Sequence, residues 1–169
     1  LRKEKLGDNT LVLFTSDNGP WLTKGLKQKG GSAGLLRGGK GSTWEGGMRV
    51  PCIALWPGKI KANTVNMELA CTMDIYTTCL DLAGVAIPKD RFIDGVNMAP
   101  HLFGNGKSLR DAMFFYRGSR LMAVRKGPWK AHFITQAGYD GGPTKHDPPM
   151  LFHLEHDPSE KYNISDKHP

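Results

Sequence analysis

TLVLFTSDNGP at residues 10–20, followed by GGKGSTWEGGMRVP at residues 38–51, decides the fold of this chain. Residues 11–14 (LVLF) predict a short buried strand, because a run of branched and aromatic residues is soon closed by Gly19-Pro20. In open α/β sheets, ligands bind outside the carboxyl ends of the strands. The side chains that follow residue 14 are therefore the first candidates for a functional site.

Asp17 and Asn18 are the first candidate site residues. A carboxylate oxygen next to an amide oxygen suits a hard cation such as Ca²⁺ or Mg²⁺. Gly19-Pro20 turns the chain away sharply, which leaves both side chains at the mouth of the turn. Asp, Asn and Gly are also common turn residues, so a plain turn is the alternative for these residues taken alone.

Lys40 is the second candidate. It stands among glycines, where the backbone can approach a ligand closely and a lysine can act as a point charge for an anion. Together with a hard cation it predicts a pocket for a tetrahedral oxyanion. A Walker A phosphate loop is rejected, because the motif is incomplete here: Gly41 stands where it requires Ser or Thr.

The ordered blocks of this chain closely resemble type I sulfatases, and within them the branch of arylsulfatase A and N-acetylgalactosamine-6-sulfatase. Several blocks in one order are far more specific than one short motif. They extend over nearly the whole chain: TSDNGP (15–20), LLRGGKG (35–41), WEGGMRVP (44–51), WPG (56–58), IDG (93–95), FYRG (115–118), KAHF (130–133), LFHL (151–154) and DPSE (157–160).

The resemblance implies a fold and a site. The implied fold class is α/β: the C-terminal part of an alkaline-phosphatase-like sulfatase fold, with sheet and helix layers followed by a small antiparallel sheet. Asp17 and Asn18 would complete a metal site, usually for Ca²⁺, with Mg²⁺ as the alternative. Lys40 would contact the sulfate ester as a catalytic and substrate-binding residue.

The nucleophile that the resemblance implies is a formylglycine, made from the Cys or Ser of a Cys/Ser-x-Pro-x-Arg motif. That motif does not occur in the 169 residues, because none of Cys52, Cys71 and Cys79 is followed by x-Pro-x-Arg. We therefore expect a C-terminal fragment whose formylglycine lies upstream and whose partner is the missing N-terminal part of the same protein. The resemblance also implies an exported protein, whether periplasmic, extracellular or lysosomal.

Lysines dominate the charge, and the formal net charge is +7. Lys24, Lys27 and Lys29 precede Lys40, and such a basic face attracts polyanions. A solvated face is the ordinary explanation, and a sulfated glycan is the more specific one. Nucleic acid is not expected, because the chain has no nucleic-acid-binding motif and its aromatic residues do not interleave with the basic loop. No apolar stretch is long enough to span a membrane.

Two domains are predicted: residues 1–105, the C-terminal portion of a catalytic α/β domain, and residues 106–169, a small antiparallel subdomain. The first domain contains a second buried strand at residues 52–56 and a helix with Thr72 as its N-cap. Apolar spacing predicts the buried face of that helix. Its members are Ile75, Cys79, Leu80, Leu82 and Ala83, with Cys71 and Cys79 as buried free thiols.

The C-terminal part alternates in the manner of an antiparallel sheet. Its predicted strands are residues 113–116, 121–125, 129–134 and 151–154. The polar stretch 135–149 predicts a long functional loop, in which His146 is a candidate substrate contact. His132 and His153 fall within strands, where structural histidines are more common than catalytic ones.

Two classes of function remain open from the sequence. The first is hydrolysis of a sulfate ester on a sugar or an aryl group, with a metal-dependent phosphoesterase as the enzymatic rival. Asp-Asn and Lys favour sulfate over the His- and Asp-rich zinc sites of such phosphoesterases. The second class is a non-catalytic structural or sulfated-glycan-binding module, which the missing nucleophile favours.

Overall fold

A computed structural model of the chain describes residues 1, 3–22, 30–139 and 141–168. The α-helical elements all lie in the first two thirds of the described chain, whereas the elements of the last third are strands and a short 3-10 helix at Ser165–Lys167. In chain order they are β1 (Val12–Thr15), α1 (Glu45–Met48), β2 (Cys52–Leu55), α2 (Met73–Leu82), α3 (Ala99–Leu102), β3 (Ala112–Arg117), β4 (Arg120–Lys126), β5 (Trp129–Thr135) and β6 (Thr144–His153).

The chain forms two compact units. The first comprises Leu1–Thr15 and Cys52–Asp111, and the second comprises Ser16–Pro51 and Ala112–Pro169. The predicted division into domains at residues 105 and 106 stays a prediction. The grouping in the structure differs from it in placing residues 16–51 with the C-terminal sheet.

In the first unit, β1 and β2 pair as an antiparallel ribbon, with Val12 opposite Leu55 and Thr15 opposite Cys52. Both strands were expected from their apolar runs and are confirmed as strands, but their predicted burial is wrong for this unit, where no residue of either strand is buried. Trp56 follows β2 and is buried, and its indole N–H donates to the carbonyl of Asp8 at 2.9 Å. Residues two apart in a strand point to the same face of a sheet. One face of this ribbon carries exposed apolar side chains. Its members are Val12, Phe14, Ile53 and Leu55.

Helix α2 begins after Thr72 as predicted, but its buried face is not the predicted one. The residues buried on it are Asp74, Thr77 and Thr78, and Cys79 is exposed. Asp74 explains the difference, because burying a carboxylate requires partners for its oxygens. It accepts hydrogen bonds from the backbone N–H groups of Cys71 and Val96, both at 2.8 Å, and from the guanidinium of Arg110.

These contacts also replace the expected cap of α2. The Thr72 side chain makes no capping hydrogen bond, and the Asp74 carboxylate accepts the Cys71 N–H instead. Burial alone would raise the pKa of Asp74. The hydrogen bonds and the charge of Arg110 outweigh burial, so that the pKa of this carboxyl lies below its ordinary value.

The second unit contains a four-stranded antiparallel sheet in the order β3-β4-β5-β6. All four strands were expected from the sequence, and β6 is longer than predicted. It begins at Thr144, where a loop was expected, and Thr144 pairs with Thr135. The register shifts between His132 and Ile134. This irregularity accommodates prolines 148 and 149, which cannot donate to a ladder and which made the segment resemble a loop.

Trp44, Phe152 and Leu154 form the buried core of the second unit, with Met150 packed against them. The Trp44 and Phe152 rings meet edge to face, with their centroids 5.8 Å apart. The core therefore joins the segment before α1 to the last strand of the sheet. Among the described residues, no helix combines the length and the apolar character needed to cross a bilayer.

Candidate active site

Asp17 and Asn18 lie together in the turn that follows β1. The Asn18 amide donates to Asp17 Oδ2 at 2.5 Å, and the Ser16 hydroxyl donates to the Asn18 carbonyl at 3.0 Å. Asp17 is exposed and Asn18 is half-buried. The turn thus keeps a carboxylate and an amide side by side at the surface.

Close backbone contacts fasten this turn to the second glycine-rich segment. The Gly19 N–H donates to the Gly47 carbonyl at 3.0 Å, and a Cβ atom on Gly19 would overlap the carbonyl of Gly46. A Cβ atom on Gly46 would lie 2.5 Å from the Arg37 carbonyl oxygen. Real side chains do not tolerate such distances, so both sites require glycine for close approach. The Gly-Gly pair after Glu45 is therefore a packing requirement of the loop.

Lys40 is brought to the same place. Its backbone N–H donates to the Pro20 carbonyl at 2.9 Å, two residues beyond Asn18. Its ammonium nitrogen lies 5.8 Å from the centroid of the Trp21 ring. The structure therefore places the backbone of Lys40 next to the turn that carries Asp17 and Asn18, and the oxyanion pocket stays a prediction.

His146 is not in a loop, as the sequence predicted, but in β6. Its Nε2 atom lies 2.8 Å from the Thr135 hydroxyl of the neighbouring strand. The wrong assignment has the same cause as the late predicted start of β6, namely the prolines that follow it. A contact of His146 with substrate stays a prediction. Lys24, Lys27, Lys29 and Asp140 lie outside the described residues.

A cluster of buried charges, which the sequence did not predict, supports the loop. It consists of Glu45, Lys130, His132 and Glu160, each 2% exposed or less. The Lys130 ammonium lies 2.9 Å from Glu45 Oε1 and 3.2 Å from Glu160 Oε1, and it donates to the Thr43 carbonyl at 2.8 Å. Because buried charges must be paired, these contacts are what permit Lys130 to sit inside the protein. We call these four residues the buried charge cluster.

Glu160 joins the cluster to both the loop and the sheet. One carboxylate oxygen lies 2.7 Å from His132 Nε2, and the other accepts the backbone N–H of Glu45 at 2.6 Å. Burial alone would raise the pKa of Glu160. The hydrogen bond to His132, the charge of Lys130 and the Glu45 N–H outweigh it, so the pKa is lowered.

The pKa of His132 lies below its ordinary value. Burial lowers the pKa of its imidazole, and the charge of Lys130 lowers it further, against the opposite effect of Glu160. The Trp44 ring lies 4.3 Å from the imidazole, centroid to centroid. The structural role expected for His132 stays a prediction, which its full burial in β5 supports.

Arg37 closes the loop over this cluster. Its guanidinium lies 3.7 Å from the centroid of the Trp44 ring and donates to the Glu160 carbonyl at 2.8 Å. One sequence signal could have revealed the cluster. Lys130 and His132 stand two residues apart in β5, on the same face as buried Ile134, and charged residues at such positions require buried partners.

Asp17 and Asn18 offer two neighbouring oxygen donors for a metal ion. The residues that the structure describes contain no group of three or more His, Cys, Asp or Glu side chains able to hold an ion. Asp17 and Asn18 still fit a hard cation in chemical type, because both offer oxygen and both lie at the surface. They supply part of a coordination shell.

A lysine beside a turn with two hard oxygen donors is the arrangement that the sequence predicted for a tetrahedral oxyanion. Comparisons with known proteins name the family. A model described as "Sulfatase" matches residues 1–85, and one described as "C-terminal region of aryl-sulfatase" matches residues 108–169. This chain belongs to the sulfatase family.

Individual relatives agree. The chain is 42% identical to N-acetylgalactosamine-6-sulfatase of Canis lupus familiaris, over 98% of this chain and 35% of that protein. It is 46% identical to arylsulfatase A of Bos taurus, over 93% of this chain and 34% of that protein. The crystal structure of the PsFucS1 sulfatase from Pseudoalteromonas sp. matches 97% of this chain with a TM-score of 0.88 and 36% identity, over 34% of its own length. The chain thus spans about a third of the length of these relatives.

Proposed function

We propose that this chain is the C-terminal part of a sulfatase that hydrolyses sulfate esters. The observation that carries the proposal is the hydrogen bond from the Lys40 N–H to the Pro20 carbonyl, which holds the lysine beside the Asp17-Asn18 turn. A lysine so placed can meet an anionic ester, and the chain belongs to a family named for sulfate esters. The full-length protein that contains this chain would be the active enzyme.

Each site residue has a proposed role. The Lys40 ammonium would bind the oxygens of the sulfuryl group and stabilise the charge that develops there. Asp17 and Asn18 would donate oxygen ligands to a divalent cation, Ca²⁺ or alternatively Mg²⁺. When bound, such a cation supplies further positive charge at the sulfuryl oxygens. The formylglycine nucleophile would come from outside this chain.

The missing N-terminal part of the same protein is the proposed partner. On the β1–β2 ribbon, Phe14 is 65% exposed and Ile53 is 62% exposed. A face of this kind marks a surface that another part of a protein covers. An exported location, periplasmic, extracellular or lysosomal, follows from the resemblance alone and is part of the proposal.

The test compares two esters with the same leaving group. We expect the full-length protein to hydrolyse 4-nitrophenyl sulfate faster than 4-nitrophenyl phosphate. Faster phosphate hydrolysis would identify a phosphoesterase, and no hydrolysis of either ester or of sulfated saccharides would favour a binding module. Lys161→Ala, which alters an exposed lysine of the same unit, serves as the control for variants of Lys40.

A further inference from the structure

Arg117, the last residue of β3, has no part in the chemistry described above. Its side chain is half-buried, and its Nη1 atom donates to two backbone carbonyls, that of Gly138 at 2.9 Å and that of Gly41. Gly41 directly follows Lys40 and lies 76 positions before Arg117 in the chain. One side chain of the four-stranded sheet therefore reaches the backbone next to the lysine of the proposed site.

Lys40 occupies the second position of a tight turn. The Ser42 N–H donates to the Gly39 carbonyl at 3.1 Å and closes this turn. Gly41, in the third position, has a φ of +88°, in the left-handed region that favours glycine. The closing hydrogen bond uses neither the N–H of Lys40 nor the carbonyl of Gly41. The direction in which the turn presents the lysine thus depends on what binds those two groups from outside.

Both groups are bound from outside, one on each side of the lysine. On the N-terminal side, the Lys40 N–H donates to the Pro20 carbonyl at 2.9 Å. On the C-terminal side, the Gly41 carbonyl accepts from the Arg117 guanidinium. A hydrogen bond with a charged donor is roughly twice as strong as a neutral one. Arg117 therefore supplies the charged contact that fixes the turn.

The guanidinium is itself held in place. In the sheet, Arg117 pairs with Arg120 of β4, so that its backbone is part of the ladder. The Tyr139 ring lies with its centroid 5.4 Å from the guanidinium, and a Cβ atom on Gly41 would lie 2.6 Å from this ring. The two N–H groups of Nη1 can serve two carbonyls at once, and the planar group keeps that geometry. A rigid donor of this kind is suited to positioning.

We propose that Arg117 is a positioning residue for sulfate ester hydrolysis, which fixes the turn of Lys40 and so places its ammonium against the sulfuryl group. This inference rests on the proposed sulfatase function. Arg117 acts through Lys40 and needs no contact with the substrate. A misplacement of about 1 Å can cost about 10²-fold in rate. Because the ammonium stabilises charge that develops in the transition state, a loosened turn should lower kcat more than it weakens binding.

The first test uses Arg117→Met in the full-length enzyme, with whichever ester wild type hydrolyses fastest among 4-nitrophenyl sulfate and sulfated saccharides. Methionine keeps much of the apolar side chain and removes every N–H donor. We expect kcat to fall about 10–100-fold with KM little changed. Arg120→Met is the matched control, since Arg120 is exposed and pairs with Arg117 in the sheet, and its kcat should equal that of wild type.

A double-mutant cycle separates positioning from a general structural role. In a Lys40→Ala background, Arg117→Met should change kcat less than about twofold, because the group that it positions is gone. A purely structural contribution would lower kcat by the same factor in both backgrounds. Arg117→Gln, which keeps an amide donor on a shorter side chain, passes through the same cycle and replaces Arg117→Met if that variant does not fold.

The outcomes distinguish this inference from the function on which it rests. Equal factors in the two backgrounds, or a kcat of wild-type size in the Arg117 variants, would overturn the positioning role and leave the sulfatase proposal intact. A KM that rises while kcat stays unchanged would overturn it as well, because that result indicates lost ground-state binding. Absence of sulfate release by the wild-type enzyme from every ester would instead contradict the proposed function itself.

Discussion

The buried charge cluster and the exposed Asp17–Lys40 site lie in the same unit and are built in opposite ways. In the cluster, Lys130 and Glu160 are fully buried, and the ionic contacts among its four members are 3.2 Å or shorter. In the site, Asp17 is exposed and accepts a hydrogen bond from the adjacent Asn18 amide. Paired buried charges fix the backbone, whereas exposed polar groups stay available for a ligand.

The difference indicates that the cluster and the site have separate roles in this unit. The cluster binds the loop of α1 to the sheet through Glu45 and Glu160, and the glycine contacts then carry that order to Lys40. Changes in the cluster should therefore act on stability first. Changes in the site should act on activity and leave stability nearly unchanged.

The largest effect is expected from Lys130→Met in the full-length protein. This change removes the cation that lies between buried Glu45 and Glu160 and leaves Glu45 with only Arg125, 3.4 Å away. Breaking a buried ion pair on one side typically costs about 3–5 kcal/mol. Thermal unfolding should show a large fall in Tm, whereas Lys161→Met, an exposed lysine of the same unit, should not. Equal Tm values for the two variants would mean that the cluster does not stabilise the fold.

An intermediate effect is expected from Asp17→Asn. Loss of a group that only supports a metal ligand costs about 10–100-fold in metal affinity, so loss of a direct ligand should cost at least about tenfold. Titration of the metal-stripped full-length enzyme with Ca²⁺ would measure the shift, both in activity and in Tm. Asp166→Asn is the matched control, since Asp166 is exposed and lies in the same unit. Identical Ca²⁺ curves for Asp17→Asn and wild type would exclude Asp17 as a ligand.

A smaller effect is expected from pH. The pKa of His132 lies below its ordinary value of 6.5, so the unfolded chain takes up a proton that the folded chain does not, and stability falls as pH falls below that value. The pKa of Glu160 is also lowered, and the stability it contributes is lost as pH falls further, below its ordinary value of 4.5.

The pH effect can be assigned with one variant. Replacing the imidazole in His132→Gln removes its titration, so the decrease in Tm from pH 7 to pH 5 should become shallower than in wild type. An unchanged slope would show that His132 does not control acid stability in this range. The other charged groups of the cluster, Glu45, Lys130 and Glu160, remain in this variant, as does Arg125, which pairs with Glu45.

Much of the fold could be predicted from the sequence, and the exceptions have physical causes. The strands at residues 12–15, 52–55, 112–117, 120–126 and 129–135 follow from local apolar and aromatic patterns. The start of β6 could not be predicted, because its two prolines indicate a loop. Only the register shift opposite them in β5 allows them to lie within the strand. The polar buried face of α2 depends on Arg110, which lies 36 residues from Asp74 in the chain.

The candidate site was predictable only where its residues belong to local sequence motifs. Lys40 and the Asp17-Asn18 pair stand in recognisable local motifs, and the structure brings them together. The buried charge cluster joins residues separated by 85 and 115 positions in sequence, namely Glu45 with Lys130 and Glu45 with Glu160. No local pattern records such pairings, although Lys130 and His132 on an inward strand face were a signal that partners must exist.

The most direct test of the account is a parallel measurement of kcat and Tm for Lys40→Ala in the full-length enzyme. Removal of one preorganised charge contact typically costs about 10²–10³ in kcat. The account predicts a loss of that size for a sulfate ester with a Tm close to that of wild type and of Lys161→Ala. Full activity in Lys40→Ala, or an activity loss that follows a fall in Tm, would contradict the assignment of chemistry to the exposed site.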